Sequence, residues 1–341
     1  MNKPLYFCTY FDSNYLARGL ALYRSLERHV SAFRLWVLCL DDSVYEVLRK
    51  LALPRMALIT LSELESGDEA LLQAKSDRNR AEYYFTCTPS LVLHILSNYS
   101  EVDMISYVDA DLFFFSNPSQ LYDEFRAGSI LMVAHRFPER LRKLEVYGIY
   151  NVGLLCFRKD EAAFACLHWW RERCLGWCYD RVEDGRFADQ KYLDDWPTRF
   201  PRVVVLQHKG AGLAPWNLTN YRLETGNGQR TVDSEPLVFF HFHRLKKINR
   251  WLYDPGLARF GVHMSAWVKQ QLYAPYVREL RKVNQWLSEV VDLPDVHEIP
   301  RGRTLRTSSF YRAARTIRND LSLASRLLRG QLLVVIAERV M

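Results

Sequence analysis

Short apolar runs and stretches of helical spacing alternate through residues 1–115. PLYFCTY, FRLWVLCL and MALITL (4–10, 33–40 and 56–61) are apolar or β-favouring runs of strand length, as in a sheet buried on both faces. Between the first two, YLARGLALYRSLERH sets Leu16, Leu20, Tyr23 and Leu26 three or four positions apart, along one face of a helix. After the second run, SVYEVLRKLAL reads as a helix begun by Ser43. This alternation predicts a mainly parallel sheet with helices on both faces, an αβα sandwich, because parallel neighbours need a long crossover.

Farther along, a polar stretch from Glu63 to Arg80 leads into an apolar helix over Ala81–Leu96, in which Pro89 marks a boundary or a kink. A buried strand, Met104–Val108, then runs straight into Asp109 and Asp111. SILMVAH, YNVGLLCFR, RVVVLQ and PLVFFHFH read as further strands, DEAAFACLHWWRERCL as a helix with an aromatic face, and RFADQKYLDDW as a short helix. Residues 266–291 read as a long helix with a break at Pro275. The expected organisation is an α/β domain over 1–265 and a C-terminal helical extension over 266–341.

Composition adds little to this picture until charge is resolved along the chain. With 341 residues, 49% hydrophobic and 25% charged, the protein is globular and large enough for a substantial core. A net charge of +7 first suggests nucleic acid, yet residues 301–341 hold nine Arg against Asp320 and Glu338, which leaves residues 1–300 neutral. Phe310, Ala314, Ile317, Leu321, Ala324 and Leu328 form an apolar helical stripe beside those arginines. Such a tail fits an anionic membrane surface or a docked protein face, and no stacking aromatic motif points to nucleic acid. Seven scattered Cys fit reduced, buried thiols, with Cys174 and Cys178 on one helical face. No apolar run reaches the ~20 residues of a membrane span, and the N-terminus is charged too soon for a signal peptide. The expected place is the cytoplasm, peripheral to the inner face of the membrane if the tail binds lipid.

Ligands of open α/β sheets bind at the carboxyl ends of the strands, where Asp109 and Asp111 fall. Two carboxylates at this spacing can share a divalent cation, which can neutralise a diphosphate, whereas burying them uncompensated is costly. The alternative is an ordinary turn or cap pair. The nucleophilic Asp-x-Asp of aspartyl phosphatases is disfavoured by Leu112 and Phe113. His241, in VFFHF, reads as a core histidine or as a third ligand, and alternation does not separate it from His243. Thr9 and Tyr10 end the first strand, where backbone and ring could meet a nucleobase. GLAPWNL offers Trp216 to stack on a sugar and Asn217 to bond hydroxyls, while Trp169, Trp170 and Trp177 belong to the core or an interface.

YVDADLFFF (107–115) resembles the DXD loop of GT-A nucleotide-sugar glycosyltransferases, and the matches that follow keep the order of family 8 of those enzymes, of the bacterial surface-polysaccharide type. The first strand with Asp12–Tyr15 is similar to their nucleotide-cradling loop, which implies contacts from Thr9, Tyr10, Asp12 and Asn14. YNVGLLCF implies that Asn151 lies on the sugar side, and ADQKYL that Asp189 and Gln190 stand beside the anomeric centre. VFFHFHRLKK implies His241 as metal ligand and Lys247 as diphosphate contact, ahead of His243 and Lys246. Asp109 and Ala110 would then touch the nucleotide sugar, and Asp109, Asp111 and His241 would hold Mn2+ or Mg2+. The helix TPSLVLHIL lacks the family's diphosphate-binding basic residue, for which Arg78 or Arg80 would substitute.

The resemblance implies transfer of a sugar from a nucleotide donor, UDP-linked, to a glycan or lipid-linked saccharide. Asp189 or Gln190 would stabilise the far face of the sugar in a retaining reaction; in an inverting one Asp189 would be the base. A sugar-phosphate nucleotidyltransferase would want a Gly-rich basic N-terminal loop, which TYFDSNYLARG is not. The non-enzymatic alternative is a membrane-associated scaffold on a degenerate fold of this kind.

Overall fold

A computed structural model describes residues 3–291, 323, 325–336 and 339–340. Of the arginine-striped tail expected from Ser308 onward, Leu323, residues 325–336 and residues 339–340 are among them and the rest lies outside. The chain forms two compact units, Met1–His241 and Phe242–Met341.

In the first unit the expected alternation is realised as β1 (Leu5–Phe11), α1 (Leu16–His29), β2 (Phe33–Cys39), α2 (Asp42–Leu51) and β3 (Met56–Thr60). The polar stretch after it holds two short helices, α3 (Leu61–Glu65) and α4 (Glu69–Asp77). α5 (Arg80–Asn98) is one helix that runs through Pro89. There follow β4 (Met104–Val108), β5 (Leu112–Phe114), α6 (Leu121–Glu124), β6 (Ile130–Ala134), β7 (Tyr150–Arg158), α7 (Glu161–Gly176), α8 (Trp196–Arg199) and β8 (Val203–Val205). The expected short helix at RFADQKYLDDW is a 3-10 turn, Lys191–Asp195, leading into α8.

Seven strands form a sheet in the order β3-β2-β1-β4-β7-β6-β8. Only β7 is antiparallel to its neighbours; every other pairing is parallel. The fold is therefore α/β with a mixed, mostly parallel sheet. Side-chain alternation sends Tyr6, Cys8, Trp36 and Tyr107 into the core beneath α5 and α7. On the other face α1 brings Tyr23 to Phe33, which also meets Phe7. α1 can lie this close because residue 19 is glycine: a Cβ there would stand 2.2 Å from the Phe11 ring.

Three expectations change on this frame. Asp41, not Ser43, caps α2, accepting from the Val44 amide at 2.9 Å, since its carboxylate reaches the free N–H groups of the first turn. All seven cysteines are buried and unpaired, but α7 ends at Gly176, so Cys174 and Cys178 do not share a helical face. The late strand also stops early. Three strands, β9 (Leu223–Gly226), β10 (Gln229–Val232) and β11 (Glu235–Pro236), form a small sheet. β12 is only Phe239–His241, antiparallel to β5.

The second unit begins where that strand ends. Phe242 stacks on Tyr276 with ring centroids 3.9 Å apart and meets Tyr273 edge-on, which draws residues after His241 into this unit although the sequence suggests a boundary at 265. It is not purely helical: β13 (Lys246–Lys247), β14 (Leu252–Asp254), β15 (Leu333–Ile336) and β16 (Arg339–Val340) form a four-stranded sheet. A π-helical stretch, Val268–Tyr273, passes without a break into α9 (Ala274–Val291), so the helical run continues through Pro275, which follows the change from π to α geometry. Among the described residues no helix is long and apolar enough to cross a membrane.

Candidate functional site

The two carboxylates sit on a tight turn between β4 and β5. The Asp109 amide donates to the Gly153 carbonyl on β7 at 3.0 Å, and the Leu112 amide donates back to the Asp109 carbonyl at 3.0 Å. Ala110, at the crest, is buried. Because β12 pairs with β5 in the register His241↔Leu112, the imidazole arrives beside the turn. His241 Nε2 stands 3.1 Å from Asp111 Oδ1 and 3.7 Å from Asp109 Oδ2. Burial raises the Asp109 carboxyl, partly offset by His241. For His241 burial works downward, but Asp111 and then Asp109 carry the imidazole above its ordinary value. The two carboxylates thus favour the protonated imidazole, and the imidazole favours the ionised form of Asp109.

One ligand atom from each of Asp109, Asp111 and His241 lies within 4.8 Å of the others. Two hard carboxylates with one imidazole are a fitting donor set for Mn2+ or Mg2+. His243 belongs to the second unit, where its ring packs toward Phe260.

Gly153 joins this corner to a second group. A Cβ on residue 153 would fall 2.4 Å from Asn151 Oδ1 and 3.0 Å from His241 Nδ1, so only glycine lets both side chains close over the strand. Asn151 Oδ1 accepts from the Gly153 amide at 2.8 Å, and Asn151 Nδ2 reaches Gln190 Oε1 and His135 Nε2, each at 3.2 Å. Gln190 Nε2 donates to the Tyr147 carbonyl at 2.9 Å. Asn151 thus meets Gln190 directly and closes over Gly153 beside His241.

His135 escaped the sequence reading. It ends the apolar run SILMVAH, and a polar residue closing a buried strand is the same signal that singled out Asp109. Its ring stacks on Phe137 at 4.7 Å, and burial pushes its pKa down to about 3.

Trp216 and Asn217 need correction as direct sugar contacts. Asn217 is fully buried, and its side chain ties the loop together: Nδ2 donates to the His135 and Gly212 carbonyls, and Oδ1 accepts from the Ala214 amide, each at 2.9 Å. Trp216 is 4% exposed, its Nε1 donates to the His135 carbonyl, and it presents a ring edge-on to His241 at 5.5 Å. Both build the wall behind His241; neither offers a free polar atom or an open ring face.

Asp189 lies apart from Gln190 in environment. It is 4% exposed and accepts from Thr88 Oγ1 on α5 at 3.0 Å, while its backbone carbonyl accepts from Trp170 Nε1. Desolvation lifts its carboxyl to about 7, aided by the charge of Asp109 and opposed by the Thr88 hydrogen bond. Thr88 also reaches Tyr10 at 3.4 Å, the Tyr10 ring leans on Tyr107, and Tyr107 donates to Asp109 Oδ1 at 2.9 Å. A line of hydroxyls thus connects Asp189 to the first carboxylate. Thr9 points to the opposite face of β1, where its buried Oγ1 has no hydrogen-bond partner, and the residue is fully buried in the sheet beside Val37, which corrects it as a direct nucleobase contact.

A further cluster forms at the ends of β1 and β2. Asp12 accepts from the Asn14 amide and side chain, each at 3.1 Å, and Arg80 Nη2 lies 3.4 Å from Asp12 and 3.3 Å from Asp41. Asp41, again a polar residue closing an apolar run, is an addition to the expected set. Arg80 is 57% exposed, whereas Arg78 is spent on Thr86 and the Leu175 carbonyl. Of the two substitutes for the absent basic residue, Arg80 is the accessible one. Lys247 lies on β13 of the second unit, opposite Tyr253.

No protein-family model matches the chain. Among solved structures it is similar to galactosyltransferase LgtC in complex with donor and acceptor sugar analogs (14% identity, TM-score 0.49, 79% of this chain and 100% of that one). It is also similar to glycosyltransferase GlyE of Streptococcus pneumoniae TIGR4 (14%, 0.48, 86% and 66%). In sequence it is 29% identical over 296 residues to the uncharacterized protein YfnD of Bacillus subtilis (strain 168), covering 84% of this chain and 91% of that one. It is 32% identical over 253 residues to the uncharacterized protein YfnF of the same organism, covering 71% of this chain. With that identity extending over 83% of YfnF, the chain belongs to the YfnF family.

Proposed function

We propose that this protein is a GT-A-type, metal-dependent glycosyltransferase that moves a sugar from a UDP-linked donor to a hydroxyl of a glycan or lipid-linked saccharide. The observation that carries this reading is the arrival of His241, from a strand far along the chain, within 3.1 Å of Asp111 on the turn that also holds Asp109. Asp109, Asp111 and His241 would hold Mn2+ or Mg2+, which when bound supplies positive charge to the departing diphosphate. Tyr107 orients Asp109 by hydrogen bond, and the wall of Trp216 behind His241 keeps the imidazole in place.

On the nucleotide side, Tyr10, Asp12, Asn14 and Asp41 line the ends of β1 and β2. Arg80 brings an accessible cation there. On the sugar side, Asn151 and Gln190 present carboxamides that suit hydroxyl groups. Asp189, held near neutrality by burial, can exchange a proton with a sugar hydroxyl at physiological pH.

Calorimetric titration with UDP, with and without Mn2+, tests the site. Binding should require the metal and disappear in Asp111→Ala; binding that ignores both would end this assignment. Release of sugar from a panel of UDP-sugars then separates an enzyme from a binding scaffold.

A further inference from the structure

The amide side chains of Asn151 and Gln190 could each face two ways, and the direction of every hydrogen bond around them selects one. The chain of bonds starts at a backbone carbonyl. Ile149 O can only accept, and His135 Nδ1 lies 3.2 Å from it, so Nδ1 carries the proton and Nε2 is left as an acceptor. Asn151 must therefore turn its Nδ2 toward His135, which also aims Oδ1 at the Gly153 amide that needs an acceptor. The second Nδ2 hydrogen then meets Gln190 Oε1, and Gln190 Nε2 meets the Tyr147 carbonyl. Both ends of the chain are backbone acceptors, so it has a single sense.

We infer that His135 is a positioning residue for the proposed transfer: through Asn151 it fixes which way the Gln190 carboxamide faces. One Nε2 hydrogen and one Oε1 lone pair of Gln190 are left over by these bonds for a sugar. A proton on His135 Nε2 would set donor against donor, flip Asn151, strip the Gly153 amide of its acceptor and turn Gln190 Oε1 toward the Tyr147 oxygen. Such a reversal leaves at least one buried group unpaired. The apolar packing of the ring against Phe137 and Trp216 disfavours that proton. The role is separable from the structural one of this residue, because it is the backbone carbonyl of His135, not its ring, that accepts from Trp216 and Asn217.

This inference rests on the function proposed above, and its test has two parts. His135→Phe keeps the ring stack and the carbonyl but removes both ring nitrogens. It should lower kcat by about 10–100-fold while KM for the nucleotide sugar stays within about threefold, the mark of lost orientation rather than lost binding. In a Gln190→Ala background the same substitution should cost no further kcat. His135→Gln, which can accept from Asn151 and donate to Ile149, should recover part of the loss. Equal losses in both backgrounds, or a fall in kcat that only follows a fall in melting temperature, would overturn the positioning role.

The second part needs no activity: 15N spectra of the imidazole at pH 6. A neutral ring protonated at Nδ1, whose Nε2 resonance moves in Asn151→Leu, supports the chain of bonds. An Nε2–H tautomer or an imidazolium overturns it. If the spectra hold and no nucleotide sugar is turned over, the proposed function fails and the hydrogen-bond chain stands.

Discussion

Two buried acidic regions of the first unit handle the same physical problem differently. Asp111 is 8% exposed and Asp189 4%, so both carboxylates are largely removed from water. At Asp111 an imidazole stands 3.1 Å away, and the carboxylate raises the proton affinity of that ring. At Asp189 the neighbour is the hydroxyl of Thr88, and burial wins, lifting the carboxyl to about 7. Burial alone does not define a functional acid. What surrounds it, an imidazole in one case and a hydroxyl in the other, sets how its proton is held.

The largest effect expected from breaking this contrast is at the charged corner. Asp111→Ala should reduce metal-dependent kcat/KM by about a thousandfold, the several kcal/mol that a cation contributes to a developing diphosphate charge. Steady-state kinetics across a Mn2+ titration would measure it, and a loss under tenfold would equate Asp111 with an ordinary turn residue.

Asp189→Asn probes the other region through stability. The folded carboxyl, at about 7, binds its proton more tightly than the unfolded one near 3.8, so its contribution is fully present below about pH 4 and is lost as pH rises through 7. Asparagine does not titrate. The variant should therefore gain on the parent by about 2–3 kcal/mol between pH 5 and pH 8, read from urea midpoints. A gain that is independent of pH would show that Asp189 is compensated after all.

Smaller effects sharpen the boundary between the regions. Gly153→Ala should cost about 1–3 kcal/mol and disturb Asn151 and His241 together, because the new methyl overlaps both. Chemical denaturation with 15N spectra of His241 would show it. Tyr107→Phe removes the hydroxyl that meets Asp109 and should cost about 1 kcal/mol. If it also leaves the pH dependence of the Asp189→Asn gain unchanged, the line of hydroxyls does not couple the two sites.

Much of the sheet was readable from the chain. Local periodicity survives folding when a segment is buried on both faces, so PLYFCTY and FRLWVLCL became β1 and β2, and the half-buried MALITL became the edge strand β3. Asp109 and Asp111 were recognisable for the same reason, as charged residues placed where an apolar strand stops. His135 and Asp41 carried that mark too, but next to histidine and aspartate of ordinary turns a single residue has no contrast until its partners are known. Asn217 shows the opposite failure: an asparagine beside a tryptophan suggests sugar binding, and its three internal hydrogen bonds emerge only once the loop is closed.

Sequence, then, was enough for the alternating elements, the neutral body with its arginine-rich end, and the carboxylate pair at a strand terminus, because these depend on neighbours within a few residues. The approach of His241 to Asp111, the separate surroundings of Asp189 and Gln190, and the hydrogen bonds of His135 depended on folding. Each is set by contacts between residues tens to more than a hundred positions apart, with β12 brought to β5 and α5 to the segment of Asp189. Strand alternation says which side a residue faces, but only the assembled strands and helices say what it faces.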